Sequence, residues 1–166
     1  LGSQTAYFNI PGLADLSFGF KSVPEALALK KHLHNLFATY ATAARDDLAS
    51  QFRVVIVGGG ASGVEVAGDM SAFLKTIAQK HKVVSSLLTI DLIEAAPRLL
   101  PNMPEKVSAR IEEQLRKNGV NIFLNRALVR EEIEGVYMKD MSLDAKTVIW
   151  TAGTEINPLY KTITGF

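Results

Sequence analysis

The stretch Arg53-Val-Val-Ile-Val-Gly-Gly-Gly-Ala-Ser-Gly-Val-Glu65 restricts what this chain can fold into more than any other. Val54 to Val57 is a short apolar run, mostly β-branched, which suits a strand buried on both faces of a parallel sheet. A helix-like pattern begins as soon as the glycines end. Gly58, Gly60 and Gly63 fit G-x-G-x-x-G, and each has a separate physical task. Gly58 permits the tight turn out of the strand, Gly60 lets a pyrophosphate approach the backbone, and Gly63 lets the helix lie close to the strand. The helix points its free N–H groups and positive dipole end at the same spot. Gly58, Gly59, Gly60, Ala61, Ser62 and Gly63 are therefore the candidate phosphate-binding residues. The bland alternative is a glycine-rich βα turn that binds nothing; the strand before it and the helix after it favour the functional reading.

The chain has 166 residues, enough for one ordinary domain with a full core, and its 48% hydrophobic and 21% charged content is that of a soluble globular protein. A net charge of +1 gives no electrostatic case for a nucleic-acid partner. Cysteine is absent, so the chain carries no disulfide, thiol redox centre or thiolate metal site, and a reducing compartment is expected. No apolar run approaches membrane-spanning length, and the opening residues do not read as a signal peptide. No metal site is expected. His32 and His34 lie two apart, on different faces of one predicted helix, and His81 stands alone in the sequence.

In chain order, Tyr7 to Phe20 holds Pro11, Gly12 and Gly19 and reads as an irregular lead-in. Ser22-Val-Pro-Glu25 is a capping box opening a helix predicted to run to about Ala49. Leu29, Leu33, Leu36, Phe37, Tyr40, Ala44 and Leu48 mark its buried face. A second helix is predicted from Ala61 to about His81, with Val64, Ala67, Ser71, Leu74 and Ala78 toward the sheet. Leu87 to Ile93 reads as a strand in which Thr89 and Asp91 share a side; either that side is partly open or Asp91 finds a donor. Pro101 to Pro104 starts a third helix, with Glu105 in its first turn, Val107, Ile111 and Leu115 inward and Asn118-Gly119 as its stop. Val120 to Leu124 is the next strand. Ala127 to Ile133 and Val136 to Lys139 form a hairpin around Gly135, and Thr147 to Trp150 is a last buried strand. This order predicts an α/β fold: a Rossmann-like parallel sheet with flanking helices and an antiparallel hairpin excursion.

Glu94 ends the strand after the glycine helix. In dinucleotide folds an acidic residue at that place binds the ribose hydroxyls, usually about 20 residues past the glycine loop. The gap here is longer, and the long helix and the loop Lys82 to Ser86 absorb the excess. A surface carboxylate at a strand end is the alternative. Arg98, four residues on, is a nearby cation whose direction the turn at Pro97 leaves open.

Three motifs, Val-Val-Ile-Val-Gly-Gly-Gly-Ala-Ser-Gly-Val-Glu-Val-Ala-Gly (54 to 68), Leu-Ile-Glu-Ala-Ala-Pro-Arg-Leu-Leu-Pro (92 to 101) and Val-Ile-Trp-Thr-Ala-Gly (148 to 153), together resemble the NADH-binding domain of the two-dinucleotide flavoproteins, the pyridine nucleotide-disulfide oxidoreductases. Within that superfamily they look most like type II NADH dehydrogenase, the single-subunit NADH:quinone oxidoreductase. Phe8-Asn-Ile-Pro-Gly12 resembles the segment by which such enzymes leave their FAD domain. The resemblance implies NAD(H) in this domain and FAD in a further domain outside this sequence, with hydride passing from NADH to the flavin and on to an acceptor, expected to be quinone. It implies residues 1–20 as a lead-in from the FAD domain, 21–156 as the NAD(H)-binding domain and 157–166 as the start of the return. Neither the family's two FAD segments nor its membrane-anchoring helices has a counterpart here, so an excised domain, inactive by itself, is expected. The whole enzyme is expected in the cytoplasm, peripheral on the inner face of the membrane.

By the same resemblance, Glu65 matches a family glutamate near the nicotinamide and is the candidate catalytic residue; a dipole-favoured first-turn carboxylate is the plainer reading. Ala152 and Gly153 match the turn beside the nicotinamide. Three rivals stay open: a FAD-binding fold using the same loop, a non-catalytic nucleotide-sensing domain, and the NAD domain of another flavoprotein reductase with a disulfide or ferredoxin acceptor.

Overall fold

The strand before the glycines lies in the middle of a parallel sheet, where its apolar alternation requires cover on both faces. The computed structural model describes residues 3–41 and 48–156. The elements in chain order are β1 (Ser3–Thr5), α1 (Leu13–Leu16), β2 (Phe18–Gly19), α2 (Val23–Tyr40), α3 (Leu48–Gln51), β3 (Arg53–Val57), α4 (Ala61–His81), β4 (Thr89–Ile93), α5 (Glu105–Lys117), β5 (Val120–Phe123), β6 (Leu128–Glu132), β7 (Gly135–Met138), β8 (Ser142–Asp144), β9 (Thr147–Trp150) and β10 (Thr154–Ile156). The parallel sheet runs β2-β9-β3-β4-β5, β6-β7-β8 form an antiparallel sheet, and β1 pairs with β10. Val54 and Ile56 face a core shared with α2, α4 and Leu115 of α5. Val55 and Val57 face a second core with Leu13, Trp150 and the antiparallel sheet. Val57 is level with Ile93 on one side and Trp150 on the other, so three strands end together at one edge. Ligands of open α/β sheets sit at such an edge.

Helix α2 starts at the predicted capping box: Ser22 Oγ accepts the Glu25 N–H while Glu25 accepts the Ser22 N–H. It reaches Tyr40, with Leu29, Leu33 and Phe37 buried. The predicted continuation toward Ala49, including Ala44, runs through residues 42–47, which lie outside the described residues; Leu48 to Gln51 forms the separate α3. Helix α4 has the predicted bounds, and its buried stripe is wider, adding Val66, Met70 and Ile77.

Other expectations need correction. The lead-in through Phe20 is woven into the fold, because β1 zips to β10 and β2 lines the edge of the parallel sheet beside β9. Strand β4 starts at Thr89, since Ser85–Leu87 closes a short 3-10 turn. Leu115 is buried as expected, but Val107 is 41% exposed and Ser108 faces inward instead, with Arg98 bonded to the Ser108 hydroxyl. The hairpin gains a third strand, β8, too short and polar to show a period. Of the two readings of Asp91 the second holds: Asn121 Nδ2 donates to it at 2.7 Å, Arg53 Nε forms an ion pair at 3.2 Å outside hydrogen-bond geometry, and the side chain is buried between β3 and β5. The predicted separation of the histidines holds for His32, which bonds Thr147 Oγ1, but His34 and His81 meet across α2 and α4.

Candidate dinucleotide-binding site

The glycine loop leaves β3 through Gly58, whose φ of 113° is open to glycine and strained for other residues. Its N–H donates to Ile93 O at 2.8 Å, which ties the turn to the end of β4. A Cβ placed on Gly63 would collide with the Gly58 carbonyl, so α4 can approach β3 this closely only with glycine there. Gly60 differs. Its φ of −74° is ordinary, and nothing lies within 4 Å of a Cβ built on it. No side chain caps the N-terminus of α4 at Gly60, so the N–H groups of Ala61, Ser62 and Gly63 open onto that free space.

Glu94 sits just past β4 and is half-buried. Its Oε1 accepts the Ala96 N–H at 2.7 Å and its Oε2 the Gly59 N–H. The strand-end acid and the glycine loop thus form one unit. A cavity of about 220 Å³ beside them is lined by Gly58, Glu94, Ala95, Arg126, Ala127, Trp150 and Ala152 among others. Gly153 follows at φ 82°, with the Phe8 ring where a Cβ would stand. Phe8 stands edge-on to Trp150, whose Nε1 donates to Ala6 O at 2.9 Å.

Glu65 lies elsewhere. It stands beyond the first turn of α4, contrary to the first-turn reading, is exposed, and lines a larger cavity of about 820 Å³ between α4 and α2, with Ser62, Asp69, Lys30 and Phe20. The loop therefore stands between two recesses, with Glu94 and Ala152 on one and Ser62 and Glu65 on the other.

Two participants were not singled out from sequence. Thr151 Oγ1 donates to Val57 O at 2.9 Å and to Gly58 O at 3.1 Å, so it clamps the loop; its place just past a buried strand was the signal. Arg126 bonds the Glu94 carbonyl through its N–H and pairs with Asp140, a position in a connecting loop that no period marks. Arg98 is committed to its own turn. It donates to Leu100 O, Pro101 O, Met103 O and Ser108 Oγ.

The profile of the family described as pyridine nucleotide-disulphide oxidoreductase matches residues 1–164. The chain belongs to this family. Members similar to it include the type II NADH:quinone oxidoreductase of Staphylococcus saprophyticus, 29% identical over 92% of the chain and 39% of the relative. The enzyme of the same name from Haemophilus influenzae is 29% identical over 99% of the chain and 40% of its own length. The chain thus spans about two fifths of these curated relatives. Among solved structures, NDH2 from Plasmodium falciparum in complex with NADH superposes with a TM-score of 0.90, at 23% identity, over 99% of the chain and 36% of that protein. That likeness shows the fold: a parallel five-stranded sheet with flanking helices and antiparallel sheets. No helix among the described residues is long and apolar enough to cross a membrane.

Proposed function

We propose that residues 21–156 are the NAD(H)-binding domain of a flavin-dependent oxidoreductase, and that the rest of that protein holds FAD and reduces a quinone. The observation that carries the reading is Gly60: open space over a glycine at the uncapped start of a 21-residue helix. An anion seated there meets free N–H groups and the positive helix end together. Glu94 borders the adjoining recess, where its remaining lone pairs suit the adenosine ribose hydroxyls. The resemblance to the family assigns Glu65, Ala152 and Gly153 to the nicotinamide end; Glu65 lies across the loop from Ala152, which shares the recess of Glu94. NADH, when bound, supplies a hydride, and the residues of this chain bind and orient it.

The β1–β10 ribbon supports a unit set into a second domain, since it brings the entering and leaving strands side by side. The NADH carried by the Plasmodium structure and the names of the curated relatives support the donor and the acceptor. The whole protein is placed at the inner face of the membrane, where quinone is within reach.

Calorimetric titration of the chain with NADH and with FAD tests the reading. NADH is expected to bind and FAD is not, and flavin-free chain should show no NADH:quinone turnover. Tight FAD binding without an NADH signal would overturn the assignment.

A further inference from the structure

Helices α2 and α4 pack together, and at the end of α4 remote from the glycine loop they bring two imidazoles together, nitrogen toward nitrogen. His34 Nδ1 lies 3.4 Å from His81 Nε2. The ring centroids are 5.7 Å apart and the planes tilted by 57°. Both residues are half-buried. Phe73 stands edge-on to His34 and Phe37 lies behind His81, so the two rings are backed by apolar surface. Packed helices carry both side chains, which favours a fixed geometry over a chance encounter of loop residues.

The spacing is longer than the roughly 2.7–3.2 Å of a well-formed hydrogen bond. Two nitrogens bound to one tetrahedral ion at about 2.0–2.1 Å stand about 3.3–3.4 Å apart. We propose that His34 and His81 form a site for one divalent transition-metal ion of the imidazole-preferring class, Zn²⁺, Cu²⁺ or Ni²⁺, with water completing its coordination. Each ring offers its facing nitrogen unprotonated and carries its proton on the outer one, His34 Nε2 and His81 Nδ1.

The donor set selects the ion. Two imidazoles suit borderline metals, whereas Mg²⁺ and Ca²⁺ demand oxygen ligands. Among the described residues no three His, Asp or Glu side chains converge on one point, so the protein supplies two bonds and the ion stays exchangeable. Lys80 and Lys30 stand close enough to His34 to act on it electrostatically. Lys30 and Lys80 also oppose a dication, but both are exposed and screened by salt. A bound ion would pin α2 to the last turn of α4.

The test uses the untagged 166-residue chain and Zn²⁺ alone. Calorimetry should find one ion per chain, and Zn²⁺ should raise the thermal midpoint. His34→Gln and His81→Gln should each weaken binding about tenfold or more and abolish that rise, while His32→Gln binds as wild type. Cu²⁺ bound to the unaltered chain should show coupling to two nitrogens in its electron paramagnetic resonance spectrum, a readout that needs no variant. No binding at millimolar Zn²⁺, a Cu²⁺ spectrum without two nitrogens, or unchanged binding in either His→Gln variant would overturn the site.

Discussion

Glu94 Oε2 accepts the N–H of Gly59 at 2.5 Å, so the acid assigned to the ribose also braces the loop assigned to the phosphates. Glu94→Gln keeps one acceptor oxygen where two are in use, because Ala96 donates to Oε1. NADH binding should weaken by about 1.5–3 kcal/mol, the range for charge-assisted hydrogen bonds. Wild type should prefer NADH over NADPH by about a hundredfold, about 2.7 kcal/mol, since a 2′-phosphate removes a donor and sets a second negative charge against Glu94. Arg98 does not soften this, as its guanidinium is held by Leu100, Met103 and Ser108. Paired titrations decide it: equal affinities in the wild type would remove Glu94 from the site.

Gly60→Val should abolish NADH binding and spare the fold. The ordinary φ and the empty space accept a side chain in the ligand-free chain, at no more than about 1 kcal/mol for a poorer N-cap residue. The same side chain occupies the place of the pyrophosphate. Gly63→Val should do the opposite and destabilise the fold outright, because its Cβ meets the Gly58 carbonyl. Circular dichroism melts of the two variants, with NADH titrations of the first, separate these effects.

Thr151→Val keeps shape and removes a hydroxyl that serves Val57 O and Gly58 O. Stability should fall by about 1 kcal/mol in urea unfolding, and NADH affinity should fall several-fold as the loop loosens. Thr151→Ser retains the hydroxyl and should recover most of both losses. A variant with normal stability and affinity would show that the clamp is dispensable.

Glu131 is buried, and its Oε2 has no hydrogen-bond partner. Burial pushes its carboxyl from 4.5 up to about 8. The folded state therefore holds this proton after the unfolded chain has lost it. The stability associated with it is full below pH 4.5, declines as pH rises toward 8, and stays lost above. Glu131→Gln, neutral throughout, should flatten that slope and stabilise the chain by about 1–3 kcal/mol at alkaline pH, with no gain at acid pH. Denaturant midpoints across this range provide the check.

The glycine loop and its flanks were legible because period and glycine spacing are local signals, and Val54–Val57 and Ala61–His81 carry both in full. Glu94 was legible by position, while its bonds to Gly59 and Ala96 depend on how the loop folds back. The clamp at Thr151 depends on β9 lying beside β3, a pairing made across some ninety residues of chain that no local pattern records. Strand β8 escaped because three residues show no alternation. The meeting of His34 with His81 was invisible for a like reason, since each histidine is solitary along its own helix and only the packing of α2 on α4 joins them.

Strands β1 and β10 run antiparallel with Ser3 opposite Ile156 and Thr5 opposite Thr154, and Gln4 Nε2 bonds Glu155 Oε1 at 2.6 Å. Positions 3 and 156 therefore lie side by side. The same adjacency makes the unit suited to rewiring. A few residues joining position 156 to position 3 would close a ring at little entropic cost, and new ends could be opened at the exposed turn around Val84 and Ser85, beyond the end of α4 remote from the glycine loop, while the edge assigned to the nucleotide keeps its shape.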